Sequence, residues 1–275
     1  MSAFLVYKIC LATFKTHESV ERLALWAAGI FGFYPDLIEI GAMLLTETLY
    51  LFLFCLMLYL FFEILNMEVV GRYDVFMLGL SSGLAVLARP PILFSIPIIF
   101  FYFYEKGLYK QMGFFAAVLF LVFTPWTVRN YFVYNEIMPF GAAGQLNFWI
   151  GNYHGARGEQ EASKEIEDFS KTHPIKELGD ESIRQFKNFI ISYPGEFVKI
   201  TFLRINKYFS IIRPMGFWFY TSGWRQMLFV CSSVLASVFL FIFGLAGAVR
   251  MFKEKKEPYL YLLSFIVLTP LILFI

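Results

Sequence analysis

A chain of 275 residues with 59% hydrophobic and only 16% charged side chains, at a mean hydropathy of +0.63, carries more apolar side chain than one soluble core can hide. Its formal net charge of +2, with no Lys/Arg-rich run interleaved with aromatics away from the apolar segments, gives nucleic acid no footing as a partner. The expected class is therefore an all-α integral membrane protein, and 35 phenylalanines with 16 tyrosines suit lipid-facing and interfacial positions.

In chain order, the apolar segments are Met1–Phe14, Leu23–Tyr34, Ala42–Leu65, Val75–Ala88, Pro91–Tyr104, Met112–Phe132, Met227–Val249 and Pro258–Ile275. A span needs ~20 apolar residues, fewer where it leans on neighbours, so these amount to about eight spans in a polytopic bundle. Met1–Phe14 has the look of a signal sequence, but no small-residue cleavage site follows and its lone charge, Lys8, falls inside the run. A truncated or interfacial helix suits it better. Leu23–Tyr34 is too short to cross alone and is expected to continue through Pro35. Between Val75–Ala88 and Pro91–Tyr104 stand only Arg89 and Pro90, and two successive prolines favour a tight turn over one kinked helix. The apolar setting of Cys10, Cys55 and Cys231, with no CxxC pair, predicts three buried free thiols.

Domain organisation follows: N-terminal transmembrane helices over 1–132, a polar loop domain over 133–225, and C-terminal transmembrane helices over 226–275. The loop domain holds a charged stretch, Glu159 to Lys176, and a helical stretch, Asp180 to Ile191. A second helix, Glu196 to Ile212, starts after Pro194 and sets Phe197, Ile200, Leu203 and Ile211 against Lys199, Arg204 and Lys207. Its basic, amphipathic pattern suits a membrane interface. If the region is outside, the inside loops hold Lys15, Arg22, Arg72, Lys106, Lys110, Arg250, Lys253, Lys255 and Lys256, which satisfies the positive-inside bias. The expected location is the cell membrane, multi-pass, with loop 133–225 extracytoplasmic. Asp36, Glu47, Arg89 and Arg129 then share the outer side.

Each of these has two readings. Arg89, between Ala88 and Pro90-Pro91, and Arg129, near the end of Met112–Phe132, are either snorkelling arginines at lipid headgroups or cations that grip a phosphate through paired hydrogen bonds. Glu47 either caps a helix start with Thr46 or faces a polar cavity. Asp36, after Pro35, is a turn residue unless its loop folds over a cavity. The stretch Thr124-Pro125-Trp126-Thr127-Val128-Arg129-Asn130-Tyr131 puts an arginine, an asparagine and a helix-breaking proline at the edge of an apolar helix. It leads to the Gly-rich Pro139-Phe140-Gly141-Ala142-Ala143-Gly144. Gly79-Leu80-Ser81-Ser82-Gly83 is a small-xxx-small pattern that fits close helix packing. His17, His154 and His173 lack metal-ligand spacing, so the sequence offers no set for a divalent metal and implies no cofactor. No P-loop, no Ser-His-Asp arrangement and no acid–base dyad brought together by spacing is present.

Three blocks together resemble the GT-C membrane glycosyltransferases related to dolichyl-phosphate-mannose-protein mannosyltransferases, including the bacterial aminoarabinose transferases. They are Pro35 with Leu44 to Tyr50, Gly79 to Pro90, and Pro125 to Tyr131 continuing to Asn147-Phe148-Trp149-Ile150-Gly151-Asn152. Ser192 to Phe197 also resembles the helical segment that follows in such proteins. The resemblance implies transfer of a sugar from a polyprenyl-phosphate donor in the bilayer to a glycan, lipid or protein acceptor on the extracytoplasmic side. Arg89, Arg129, Glu47, Asp36, Asn130, Asn147 and Asn152 are then the expected substrate-binding residues. The family places its catalytic aspartate in the first extracytoplasmic loop, and this chain opens on what resembles a second or third span. The resemblance thus implies that this aspartate lies upstream of Met1. The alternative reading is a non-catalytic transporter, flippase or assembly protein for envelope polysaccharide that uses the same arginines without chemistry.

Overall fold

The computed structural model describes residues 1–43, 46–135, 137–138, 143–158, 162–211 and 222–268. Parts of several segments read from sequence lie outside the described residues: Leu44 and Leu45, Pro139 to Ala142, Glu159, Ile212 and Thr269 to Ile275. Among the described residues the fold is all-α with no strand. Two compact units divide them, one from the described residues of Met1–Val122 and Met215–Pro270, the other from those of Phe123–Pro214.

The apolar unit begins with α1 (Ser2–Thr13), which packs on α2 (Val20–Gly32) and on α4 (Thr46–Leu65). Between them α3 (Pro35–Ala42) starts on a proline at its first turn, where the missing N–H costs nothing. α2 and α3 form a pair bent by 56° at the break before Pro35. Helix α5 (Arg72–Ala88) runs antiparallel to α4. It opens with the Asp74 carboxylate accepting the Gly71 N–H at 3.1 Å. It closes at Arg89 because the following proline clashes with a helical residue before it, and Arg89 is accordingly extended at φ −147°, ψ 103°. A 3-10 helix (Pro90–Ser95) then leads into α6 (Ile96–Glu105), so one extended residue and a 3-10 helix stand where a tight turn is expected.

Long helices complete this unit: α7 (Tyr109–Tyr134) through Val122, α12 (Trp224–Glu254) and α13 (Glu257–Leu268). The small-xxx-small face of α5 receives α7 closely. A Cβ on Gly79 would stand 2.8 Å from Val118 Cγ1, and one on Gly83 2.8 Å from Val122 Cγ1. Only glycine admits this approach. Phe61 is fully buried, with Phe62, Tyr102, Tyr261 and Phe265 around it at 5.3 to 5.7 Å, edge-on. Such edge-to-face pairs add ~0.5–1.5 kcal/mol each beyond burial.

Three described helices, α4, α7 and α12, are long and apolar enough to cross a membrane; the bent pair α2–α3 passes the same test only when its two helices are taken together. Ser2–Thr13, Pro90–Glu105 and Glu257–Leu268 are shorter apolar helices. Two local expectations are corrected. Pro125 lies inside α7, which runs on to Tyr134, since a proline in a long apolar helix need not end it where neighbouring groups re-satisfy the backbone. Cys231 is exposed, unlike Cys10 and Cys55, because α12 turns most of its apolar surface outward.

In the polar unit, α8 (Ala143–Trp149), α9 (Lys164–Thr172), α10 (Ile175–Ser192) and α11 (Pro194–Tyr208) surround a small core of Trp149, Ile166, Phe189 and Ile200. Ser163 caps α9 by accepting the Ile166 N–H at 3.3 Å. Gly158 has φ +72°, and a Cβ there would stand 3.2 Å from the Ile200 carbonyl, so the segment before α9 lies directly on α11.

Candidate functional site

In the apolar unit, Arg89 and Glu47 form an ion pair, with Arg89 Nη2 donating to Glu47 Oε1. The pair follows from helix ends. Glu47 occupies the first turn of α4, where a carboxylate meets the positive end of the helix dipole, and Arg89 is the residue at which Pro90 stops α5. Because α4 and α5 are antiparallel neighbours, these two ends coincide. Side-chain exposures of 41% and 32% leave the pair reachable from outside. Thr46 Oγ1 donates to Glu47 Oε2 at 3.3 Å, and Thr48 Oγ1 donates to the Ile40 carbonyl at 3.1 Å, tying the start of α4 to α3. Glu47 thus combines the helix-start position with an ionic partner, an outcome that neither single reading contains.

Asp36 accepts a hydrogen bond from Ser233 Oγ at 2.7 Å. One residue before Pro35, Tyr34 Oη lies 2.9 Å from Ser237 Oγ. Ser233 and Ser237 are buried and one turn apart on α12, so two hydroxyls stitch the α2–α3 break to that helix. Asp36 is a helix-start residue fastened to a neighbour rather than a loose turn.

The polar unit holds the remaining predicted residues. The Arg129 guanidinium stacks over Trp126 at 5.3 Å and Tyr134 at 5.7 Å from the ring centroids, and Nη1 donates to Asn130 Oδ1 at 3.0 Å. Asn130, 1% exposed, donates Nδ2 to the Met138 carbonyl at 2.8 Å. It therefore anchors the chain leaving α7. Asn147 is exposed on α8, whereas Asn152 is fully buried and donates to the Phe148 carbonyl at 3.2 Å.

Asn152 lines a cavity of about 490 Å³ together with Trp149, Tyr153, Gln185, Asn188 and Tyr193. At its rim His154 Nδ1 lies 2.8 Å from Glu196 Oε2, and the imidazole stacks on Tyr193 at 4.5 Å. A carboxylate at Nδ1 orients the imidazole. Sequence reading missed this pair because its members stand 42 residues apart, and only the approach of the segment before α9 to α11 joins them. Two cations expected at a lipid surface also face inward. Arg204 Nη2 donates to the Gly151 carbonyl at 2.9 Å and Lys207 Nζ to the Arg157 carbonyl at 3.4 Å. Burial pulls the Arg204 guanidinium below its ordinary value.

Among the described residues no three His, Cys, Asp or Glu side chains group closely enough to hold a metal ion. Comparisons with protein-family models, curated proteins and solved structures return no match.

Proposed function

We propose that this chain is a multi-pass cell-membrane protein of the GT-C type, with about eight apolar spans, that transfers a sugar from a polyprenyl-phosphate donor to an extracytoplasmic acceptor. The membrane assignment is supported by α12, whose Leu235, Ile242, Phe243 and Leu245 are each at least 60% exposed. In water such a surface is an aggregation patch, and in lipid it is the ordinary outer face. On the polar unit, α11 adds Val198 and Phe202, one turn apart and exposed, with exposed Phe209 just past its end, fit for the interface.

The observation that carries the reading is the Arg89–Glu47 pair. A guanidinium whose carboxylate partner occupies part of its donor fork keeps further N–H groups for a phosphate, and the partner steadies its orientation. In the proposed reaction Arg89 contacts the donor's phosphate, where negative charge grows as the sugar leaves, and the family resemblance proposes Arg129 as a phosphate contact in its own unit. Glu47 orients Arg89, and Asn130 shapes the backbone beside Arg129. The catalytic carboxylate is unassigned.

The test is transfer of labelled sugar from a polyprenyl-phosphate donor by the chain in lipid nanodiscs. Arg89→Ala and Arg129→Ala are each expected to lower turnover at least tenfold. Undiminished turnover in both defeats the phosphate assignment. Donor binding without transfer in the unaltered chain supports the carrier alternative, which the engagement of Glu47 and Asp36 in existing contacts favours over chemistry at those carboxylates.

A further inference from the structure

The cavity of the polar unit is lined mainly by uncharged polar and aromatic side chains. Three carboxamides (Asn152, Gln185 and Asn188) meet there with the hydroxyls of Ser163 and Ser192 and the rings of Tyr153, Tyr193 and Trp149. Its volume, about 490 Å³, lies within the ~300–1,000 Å³ range of small-molecule sites. The two charges in the lining, Lys164 and Glu165, are adjacent and opposite. A third titratable group, His154, has its carboxylate partner in Glu196. A full charge on a ligand would therefore find no matching excess.

The polar groups are also poised to bond outward. Gln185 spends its Nε2 on Glu181 at 2.6 Å, which aligns the amide and leaves its carbonyl oxygen as an acceptor. Ser163 accepts from the Ile166 N–H, so its own proton is a donor to the cavity. The side chains of Asn188 and Ser192, one turn apart on α10, make no hydrogen bond with any other described residue. Carboxamides give a donor and an acceptor in one plane, which matches a pair of neighbouring ligand hydroxyls, and aromatic rings cover apolar C–H faces. A ligand that is neutral, rich in hydroxyls and amphipathic face to edge is a saccharide.

We infer that this cavity binds a neutral saccharide unit. The inference stands on the cavity's own lining and rests on the transfer reading only in naming the bound sugar as part of the acceptor.

The full chain in nanodiscs, probed on an array of neutral glycans with inorganic phosphate as competitor, tests it. The unaltered chain is expected to bind at least one neutral glycan, and phosphate is expected not to compete. Asn188→Leu and Ser192→Trp should weaken that binding at least tenfold. Asn206→Leu, also exposed but on α11 and outside the cavity, should leave it unchanged. Both altered cavity positions are exposed, and unchanged circular dichroism verifies the fold. Absence of glycan binding, equal binding by Asn188→Leu and Ser192→Trp, or displacement by phosphate would overturn the site. Glycan binding without sugar transfer upholds the cavity while defeating the transferase reading. Transfer with an unchanged acceptor KM in both cavity variants removes the acceptor role.

Discussion

Some cations of the two units are held in contrasting ways. In the apolar unit, two cations meet carboxylates from other elements: Arg89 meets Glu47, and Lys106 meets Glu257 at 2.8 Å. In the polar unit, Arg204 and Lys207 hold backbone carbonyls, and Arg129 lies over aromatic rings. The difference follows from what each charge would otherwise face. At the end of an apolar helix the alternative to a partner is an uncompensated charge, so the chain supplies a counter-ion there. In a unit with a small core and irregular segments, the orphan groups are backbone carbonyls, and cations serve as the staples.

The largest test of this contrast acts on the scaffold beneath the ion pair. Gly83→Leu puts a branched side chain where a Cβ alone would come within 2.8 Å of Val122 Cγ1. Overpacking of this kind costs about 3 kcal/mol. The variant should unfold at lower temperature in detergent and lose the α5–α7 approach. A cross-link between cysteines at the two helix surfaces would report the same loss. Unchanged melting would mean that α7 yields freely, and that α5 is not held as described.

Next in size is Glu47→Ala, which leaves Arg89 without its carboxylate at a half-exposed site. The expected loss is about 2 kcal/mol, from a charged group deprived of its bond. The exchange Glu47→Arg with Arg89→Glu should recover most of it, and a double-mutant cycle on thermal unfolding measures the coupling. A coupling near zero would place the pair among surface contacts and erase the distinction between the units.

In the polar unit the matching change is Arg204→Met, which keeps the stem and removes the bond to the Gly151 carbonyl. The expected cost is about 1–2 kcal/mol. It should be local, with faster hydrogen exchange over residues 151–158 and none of the effect in α4 or α5. Uniform acceleration across the chain would contradict separate roles for the two sets of cations.

Features written in neighbouring residues were legible in the sequence. Pro90 ends α5 at Ala88, Pro35 stands at the bend between α2 and α3, and Gly79 with Gly83 make a close-packing face, each through a local steric rule. The pairings were not. Glu47 and Arg89 are 42 residues apart, and Asp36 and Ser233 are 197 apart, so their meeting depends on how whole helices align. Hydropathy marks both members of the first pair as expensive and says nothing of which charge answers which. The basic pattern of α11 was ambiguous for a related reason. An amphipathic helix with cations looks the same whether the cations face lipid or an adjacent loop, and the positive-φ glycines that bring the loop near are seen only in the structure.

The smallest effect separates units by pH. Glu181 accepts from Arg184, its largest influence, and from Gln185, and these hold its carboxyl below the usual carboxylate range. A folded value lower than the unfolded one, which is ~4.3, means that the ionised form is favoured by folding. The contribution is complete above the unfolded value and disappears as pH falls through the folded one. Acidification below about pH 4 should therefore loosen α10, and with it the cavity wall that carries Gln185. Arg184 is a surface partner, so salt should weaken the effect. Glu181→Gln should flatten the acid limb of α10 exchange protection while leaving neutral-pH protection nearly unchanged. The same profile over α4 and α5 should not move, because the nearest ionic contact there is internal to the apolar unit. An acid response of α4 and α5 that follows Glu181→Gln would show the two units to be one cooperative body.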